Sequence, residues 1–196
     1  MATLRETQKQ QTRRLLLDTG LALVNEKGYT ATTIDDIAAA AGTTRTTFYL
    51  HFKSKAALIK ELLAEADAVL TGDDDPPLAE VVRSGDRMII SRWLDHKISQ
   101  WSRVGPYLLA AHQAEASEAE VAATIASWFD GTIAAIRRGL DDAGRFEPES
   151  RWVRSALAFG QFEFMSRRWF TRGWEADREV CLRTLTDSWC HLLTQD

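Results

Sequence analysis

Four threonines within five residues, followed by a tyrosine, a histidine and two lysines, make up the part of this chain best suited to binding another molecule. The segment reads Thr43-Thr44-Arg45-Thr46-Thr47-Phe48-Tyr49-Leu50-His51-Phe52-Lys53-Ser54-Lys55. Threonine hydroxyls bond to phosphate oxygens, and threonine methyl groups contact the methyl group of thymine. Because threonine is a poor helix former, this density favours a binding role. The alternative is the polar face of an ordinary surface helix.

The threonine-rich segment predicts a short helix over about residues 44–52. At about 100° per residue, Phe48 and Phe52 fall on one side, where they can anchor the helix in a small core. Lys55 lies at the start of the next helix, where a phosphate can also bind. The candidate DNA-binding side chains of this helix and its flanks are Thr43, Thr44, Arg45, Thr46, Thr47, Tyr49, His51, Lys53 and Lys55.

A second short helix is predicted just before this one. Thr33 can cap its start, and Asp36, three residues later, can bond back to the cap. Gly42 follows the helix, where a left-handed residue often ends one. One apolar face is formed by Ile34, Ile37, Ala38 and Ala41. The two helices and their turn predict a helix-turn-helix, whose second helix enters the major groove of DNA.

Residues 10–60 resemble the DNA-binding domain of the TetR family of transcriptional regulators. The resemblance is carried by Gly28-Tyr29, Thr33-x-x-x-Ile37-Ala38, Ala41-Gly42, Tyr49-x-His51-Phe52 and Lys55-x-x-Leu58. It implies an all-helical homodimer whose N-terminal domains bind a near-palindromic operator and whose C-terminal domains bind a small effector. It also implies DNA contacts at Thr33, Thr44, Thr46, Thr47, Tyr49, His51 and Lys55.

The chain departs from the family pattern at two positions of the threonine-rich segment. Thr46 stands where glycine is usual, and Thr43 stands where valine is usual. A side chain at position 46 would lie close to DNA. The operator sequence of relatives therefore cannot be transferred to this chain.

The charge of the chain is unevenly distributed. The net charge of the 196 residues is −4, but residues 1–63 hold nine Lys/Arg and six Asp/Glu, a net of +3, and the remainder carries −7. The positive charge thus coincides with the helix-turn-helix, as nucleic-acid binding requires. With 45% hydrophobic residues, no apolar run of membrane-spanning length and a polar N-terminus, we expect a folded, cytoplasmic protein.

The rest of the chain also has a helical pattern. A helix from Ser54 to about Leu70 ends at the linker Asp73-Asp74-Asp75-Pro76-Pro77. Breaks at Gly105-Pro106, at residues 144–148 and at Arg172-Gly173 then delimit further segments. The predicted segments are 78–103, 106–116, 118–143, 149–172 and 175–194. We predict an all-α fold of about nine helices, with a helix-turn-helix DNA-binding domain over residues 1–53 and an effector-binding and dimerisation bundle over residues 54–196.

The C-terminal part contains all seven tryptophans, which suit either a core or a ligand pocket. For any single aromatic residue a place in the core is the better expectation. The resemblance places an effector pocket among the helices after the linker. The candidate ligand-binding residues are Trp93, His96, Trp101, Tyr107, His112, Trp128, Phe129 and Phe162.

Two apolar stripes predict a homodimer through the helices near 149–172 and 175–194. The stripes are Trp152, Ala156, Phe159 and Glu163 on the first helix, and Leu182, Leu185, Trp189, Leu192 and Leu193 on the second. Two such helices from each subunit would give a two-fold, four-helix interface. The alternative is that both stripes close the protomer's own core.

No catalytic motif is present, and no cofactor or metal is expected. The sequence has no phosphate-binding glycine-rich loop, no HExxH and no Gly-x-Ser-x-Gly. We therefore predict a regulator rather than an enzyme: a homodimeric repressor of the TetR type, released from its operator by a small effector. The alternative is a helical DNA-binding dimer without an effector, acting as a structural protein or an activator.

Overall fold

The computed structural model describes residues 3–195, and within them the chain forms nine α-helices and no strand. The outermost ends of the predicted domains, residues 1, 2 and 196, lie outside the described residues. The helices are α1 (Leu4–Lys27), α2 (Ile34–Ala40), α3 (Arg45–His51), α4 (Lys55–Thr71), α5 (Leu78–Ser84), α6 (Arg87–Glu115), α7 (Ala119–Ala143), α8 (Pro148–Arg172) and α9 (Arg178–Leu193). The predicted all-α fold of about nine helices is confirmed.

The starts of α2, α3 and α4 are set by hydroxyl side chains. Thr33 caps α2 by accepting a hydrogen bond from the Asp36 backbone N–H, and the Asp36 carboxylate accepts one from the Thr33 N–H, so the predicted capping box is confirmed. Thr44 caps α3. The Ser54 hydroxyl accepts from the Ala57 N–H at 2.9 Å and caps α4. These caps satisfy backbone donors that a helix start otherwise leaves unpaired.

The described residues form two compact units. The first consists of the residues through Ala68 together with Pro106–Ile125, and the second consists of Val69–Gly105 together with the residues from Ala126 onward. Helices α4, α6 and α7 therefore each contribute to both units. The predicted domains, 1–53 and 54–196, do not coincide with these units and stay a prediction about function.

The predicted helix over 78–103 and the predicted break at Gly105-Pro106 are both wrong. The chain breaks earlier, at Gly85, whose φ of +64° is left-handed, and Asp86 then caps α6 by accepting from the Met88 and Ile89 N–H groups. Helix α6 continues through Pro106 to Glu115. A proline inside a helix costs about 3 kcal/mol. Burial of apolar side chains on both sides of Pro106 offsets that cost, as Val104 and Leu108 illustrate.

Each unit has its own apolar core. In the first unit, the fully buried side chains of α1, α2, α3 and α4 include Leu16, Ile37, Phe48, Leu58 and Leu62. In the second, the core combines residues of α5 to α9, namely Leu78, Val81, Val82, Ile90, Leu94, Ile136, Leu140, Ala158, Leu185, Trp189 and Leu193. No helix within residues 3–195 is long and apolar enough to cross a membrane.

Candidate nucleic-acid interface and ligand cavity

The turn between α2 and α3 is closed by backbone hydrogen bonds. The Thr43 N–H donates to the Ala38 carbonyl at 2.9 Å, and the Gly42 N–H donates to the Ala39 carbonyl at 3.0 Å. Gly42 has φ +66°, a left-handed conformation that glycine adopts without strain. The turn thus fixes the direction in which α3 leaves α2, and the predicted helix-turn-helix is confirmed.

Helix α3 is anchored by one side and exposes the other. Phe48 and Phe52 are buried, as predicted, with ring centroids 5.6 Å apart. The exposed side chains of α3 and its cap, called the α3 face below, are Thr44, Arg45, Thr46, Tyr49 and Leu50. Thr43 and Thr47 are half-buried at its margin. The arrangement holds a short helix rigidly while leaving its polar groups to solvent.

The hydroxyls of this helix do not all have the same freedom. The Thr44 oxygen accepts from the Thr47 backbone N–H at 3.2 Å and lies 3.0 Å from the Thr47 hydroxyl. These two threonines therefore bond to each other as part of the helix cap. Thr46 is exposed and has no hydrogen bond of its side chain among the described residues. It is the threonine whose hydroxyl is most available to a partner.

Arg45 and Tyr49 are arranged as a pair. An Arg45 nitrogen lies 2.8 Å from an Asp35 oxygen, a second donates to the Tyr49 hydroxyl at 3.3 Å, and the guanidinium lies 5.6 Å from the Tyr49 ring centroid. Both members of the Arg45–Asp35 ion pair are more than half exposed, and such exposed pairs contribute little to stability. Arg45 can therefore exchange this carboxylate for a phosphate at little cost.

His51 is half-buried at the end of α3. Burial, followed by the charges of Lys9 and Arg13, lowers the pKa of His51 from its ordinary value. Its Nδ1 atom is buried and has no hydrogen-bond partner among the described residues. The imidazole is therefore neutral near pH 7, and it can take part in a hydrogen bond rather than supply a charge.

The two predicted lysine contacts lie in different surroundings. Lys53 is exposed. The Lys55 ammonium instead donates to the backbone carbonyls of Tyr29 and Thr32, at 2.6 Å each, and lies 3.9 Å from the Tyr29 ring centroid. Burial lowers the pKa of Lys55. The phosphate contact expected of Lys55 stays a prediction, and its ammonium already has two acceptors inside the protein.

Leu50 was not among the predicted contacts, although it is 73% exposed on the α3 face. A large apolar side chain beside Thr46 and Tyr49 can contact a thymine methyl group. The signal was present in the sequence, because helical spacing places Leu50 on the side away from Phe48. The predicted contacts were limited to hydrogen-bonding side chains, and that criterion does not select a leucine.

A cavity of about 290 Å³ opens in the second unit. Its wall is formed by Asp73, Asp74, Asp75, Pro76, Ile89, Arg92, Trp93 and His96. Of the eight predicted ligand-binding residues, the cavity includes Trp93 and His96. Its volume is at the small end of ligand pockets, which span about 300–1,000 Å³.

The other six predicted ligand residues are placed elsewhere. Trp101 is 2% exposed, and its ring centroid lies 5.5 Å from that of Phe162, so both belong to an aromatic core. Trp128 and Phe129 pack on each other at 5.9 Å. Tyr107 and His112 belong to the first unit, where His112 Nδ1 lies 3.3 Å from Glu115. No group of three potential ligands within residues 3–195 is arranged to hold a metal ion.

Lys97 is a buried cation next to the cavity, and sequence reasoning missed it. Its ammonium donates to the Leu70 carbonyl in the last turn of α4 and to the Asp74 carboxylate. It also lies 5.1 Å from the Trp93 ring centroid. Two of the three groups around Lys97, Asp74 and Trp93, line the cavity. A lysine between the apolar residues Leu94 and Ile98 of α6 was the available signal.

The apolar stripes predicted for the dimer interface serve mostly the protomer's own core. Leu185, Trp189 and Leu193 are buried, and Phe159, Leu182 and Leu192 pack against them. Trp152 is the exception, at 57% exposed. The exposed apolar face of α8 lies on a different side of the helix and is called the α8 face below. It consists of Val153, Leu157, Gly160 and Phe164, spaced at i, i+4, i+7 and i+11.

Comparison with known proteins finds relatives of the helix-turn-helix segment. A family model described as "Bacterial regulatory proteins, tetR family" matches residues 16–62. The HTH-type transcriptional regulator AcrR of Shigella flexneri is 40% identical over 62 residues, 32% of this chain and 29% of AcrR. The uncharacterized HTH-type transcriptional regulator YerO of Bacillus subtilis (strain 168) is 48% identical over 44 residues, 22% of this chain and 15% of YerO. The matches thus span less than a third of either curated relative.

Solved structures resemble the chain over nearly its whole length. NalD, described as the secondary repressor of the MexAB-OprM multidrug efflux pump in Pseudomonas aeruginosa, superimposes with a TM-score of 0.74 at 21% identity, covering 95% of this chain and 98% of NalD. A TetR-like transcriptional regulator from Rhodococcus sp. RHA1 gives a TM-score of 0.68 at 18% identity, covering 94% and 97% of the two chains. At these identities the likeness establishes the fold alone.

Proposed function

We propose that the chain is a homodimeric repressor of the TetR family of transcriptional regulators, released from its DNA operator by a small-molecule effector. The observation that carries the proposal is the α3 face, a set of exposed polar side chains on a short helix anchored by Phe48 and Phe52. A rigid helix of this size fits the major groove, where side chains read base edges.

The proposed DNA contacts divide into two kinds. Thr46, Tyr49 and Leu50 are exposed along α3 and are proposed to meet base edges. The flanking groups are proposed to bind phosphates or to support the helix, and they are Thr33, Thr43, Thr44, Arg45, Thr47, His51, Lys53 and Lys55. Phosphate contacts fix the position of the protein on DNA without reading its sequence.

A homodimer is proposed because one α3 face reads only half of a near-palindromic site. Two copies related by a two-fold axis would present two such faces, as operator symmetry requires. The α8 face supports this part of the proposal, because Leu157 is 52% and Phe164 is 58% exposed. Helices α8 and α9 remain the proposed interface, with α8 contributing through this corrected face.

The proposed effector site is the cavity beside Trp93 and His96. An effector can release DNA only if it binds the DNA-incompetent arrangement better than the competent one. Lys97 supplies a route for that preference, because it bonds both to the cavity residue Asp74 and to the Leu70 carbonyl of α4. An occupant that draws Asp74 away from Lys97 would weaken the contact of Lys97 with the end of α4. The start of α4, at Lys55, lies in the first unit, which also contains the α3 face.

Repression is proposed over activation because NalD, of the same fold, is described as a repressor. We assign no enzymatic role, and a cytoplasmic location follows from the proposed contact with DNA. The second candidate is a DNA-binding dimer without an effector. It is favoured by one observation, that only two of the eight predicted ligand residues line the cavity.

The experiment that tests the proposal is selection of bound DNA from a random pool by the full chain, repeated at two salt concentrations. We expect an enriched near-palindrome whose affinity falls steeply as salt rises. Failure to enrich any sequence at either salt concentration would contradict sequence-specific DNA reading. The enriched site is then used to screen effectors. An effector that acts through the cavity should respond to the Trp93→Phe substitution, because Trp93 lines the cavity.

A further inference from the structure

Tyr29 connects helices α4 and α6 and the α6–α7 connection of the first unit through its own polar atoms. Its backbone N–H donates to the Gln113 side-chain oxygen of α6 at 2.9 Å, and its hydroxyl donates to the Glu118 carboxylate at 2.7 Å. Its carbonyl accepts from the Lys55 ammonium of α4 at 2.6 Å. Each of its three polar groups is therefore bonded to a different, distant part of the sequence.

These bonds satisfy the polar groups of Tyr29, whose carbonyl also accepts a hydrogen bond from the Thr32 N–H at 3.3 Å. The residue is 3% exposed, so water cannot replace a lost partner. An unpaired buried polar group is strongly unfavourable, and native structures avoid it. The positions of Gln113, Glu118 and Lys55 around Tyr29 are therefore tightly specified.

Tyr29 lies in the connection that leads into the helix-turn-helix. Thr32, fully buried, bonds back to the Gly28 carbonyl at 2.9 Å, and its own carbonyl binds the same Lys55 ammonium. The next residue, Thr33, caps α2. A change at Tyr29 is thus transmitted within a few residues to the start of α2, whose turn with α3 is rigid.

Helix α7 also contacts the chain just after the C-terminal end of α3. The Glu120 carboxylate of α7 lies 3.4 Å from the Ser54 hydroxyl and 3.3 Å from the Lys60 ammonium. Ser54 caps α4 directly after α3. Residues 106–125 therefore hold the chain both before α2 and after α3.

We propose that Tyr29, with Gln113 and Glu118, is a positioning joint that sets the placement of the α3 face on DNA, although none of the three contacts DNA. This inference rests on the proposed operator binding and assigns it residues far outside the helix-turn-helix motif.

The test measures affinity for the selected operator, affinity for non-specific DNA, and the salt dependence of both. Gln113→Leu and Tyr29→Phe each remove one bond of the joint. Gln113→Glu keeps an oxygen acceptor of the same length, and Asp130→Asn removes an exposed carboxylate of α7 as a matched control. All affinities are measured at a temperature at which circular dichroism shows every variant fully folded.

We expect Gln113→Leu and Tyr29→Phe to lower operator affinity by about 10-fold. Non-specific affinity and the salt slope should stay unchanged, because no phosphate contact is lost. Gln113→Glu should restore most of the operator affinity, and Asp130→Asn should have no effect. Unchanged operator affinity in both Gln113→Leu and Tyr29→Phe would overturn the proposal that these residues position the α3 face. So would equal losses of specific and non-specific affinity, which indicate general destabilisation. Failure of the wild-type chain to bind any operator would instead refute the proposed function.

Discussion

The exposed faces of α3 and α8 are made of opposite kinds of side chain. On α3 the exposed residues are mostly hydroxyl-bearing or charged, with Leu50 as the large aliphatic exception. On α8 the exposed face consists of Val153, Leu157 and Phe164 around Gly160, where a Cβ would meet nothing within 4 Å. Both helices bury one side in a core, so the difference concerns only what each presents outward.

The contrast indicates two different partners. A polar face on a rigid helix loses little by staying hydrated and gains hydrogen bonds from a polar, charged surface such as DNA. An apolar face remains unfavourably exposed until it is covered, and large exposed apolar patches mark protein interfaces. We therefore propose that the partner of α3 is DNA and that the partner of α8 is a second copy of the chain.

The largest effect is expected from a charge placed on the α8 face. Leu157→Glu should dissociate the dimer, raising its dissociation constant about 100-fold or more, because a charge at the centre of an apolar interface is desolvated without a partner. Analytical ultracentrifugation over a range of concentrations measures the change.

A matched control is available on α1. Leu15 is 53% exposed and Leu157 is 52% exposed, so Leu15→Glu makes the same chemical change on a different surface. It should leave the oligomeric state unaltered. If both variants change the dissociation constant of the dimer equally, the α8 face is not the dimer interface.

The next effect in size concerns the α3 face. Thr46→Ala and Tyr49→Ala should each weaken operator binding by about 1–3 kcal/mol, the range for loss of a base-specific contact. Binding isotherms on the selected operator give the values, with Ser127→Ala, which removes an exposed hydroxyl of α7, as the control. If the alanine variants bind the operator as tightly as the wild type, α3 does not read the sequence.

Lys53 and Lys55 should contribute differently to DNA binding, because Lys53 is exposed and the Lys55 ammonium is bound by carbonyls inside the protein. Lys53→Ala should weaken binding to all sequences and reduce the salt slope by about one for each protomer. Lys55→Met should lower operator affinity without changing the slope. A slope that falls for Lys55→Met would show that this ammonium leaves Tyr29 and binds phosphate.

The smallest effect is a pH dependence at His51. Because burial lowers its pKa below that of the unfolded chain, the unfolded state takes up the proton first as pH falls. The free energy of unfolding should therefore decrease as pH falls through the ordinary histidine range, down to the lowered pKa. Urea unfolding of the wild type and His51→Gln between pH 7.5 and 5 measures this. A parallel pH profile for the two proteins would remove His51 as the cause.

The sequence predicts the local features of the helix-turn-helix well. The cap at Thr33, the turn at Gly42 and the buried side of α3 all follow from interactions within a few residues. Such features depend on the chain's immediate neighbours, so spacing and residue type are enough to find them.

Features that depend on distant residues were not predictable in the same way. An apolar stripe on a helix does not reveal whether its partner is the same chain or a second copy, which is why the stripe ending at Leu193 was assigned to the dimer. Lys55 donates to backbone carbonyls, and so does Lys97 in its bond to Leu70, and backbone carbonyls have no sequence signal. Pro106 was expected to end a helix because the burial on either side of it was unknown.

The most direct test of the account is the mass of the complex that the full chain forms on its selected operator, measured by sedimentation. We predict an even number of chains on each near-palindromic site, and one weakly bound chain of Leu157→Glu on a single half-site. A single wild-type chain that saturates an asymmetric site with full affinity would contradict the pairing of a DNA-reading α3 face with a dimerising α8 face.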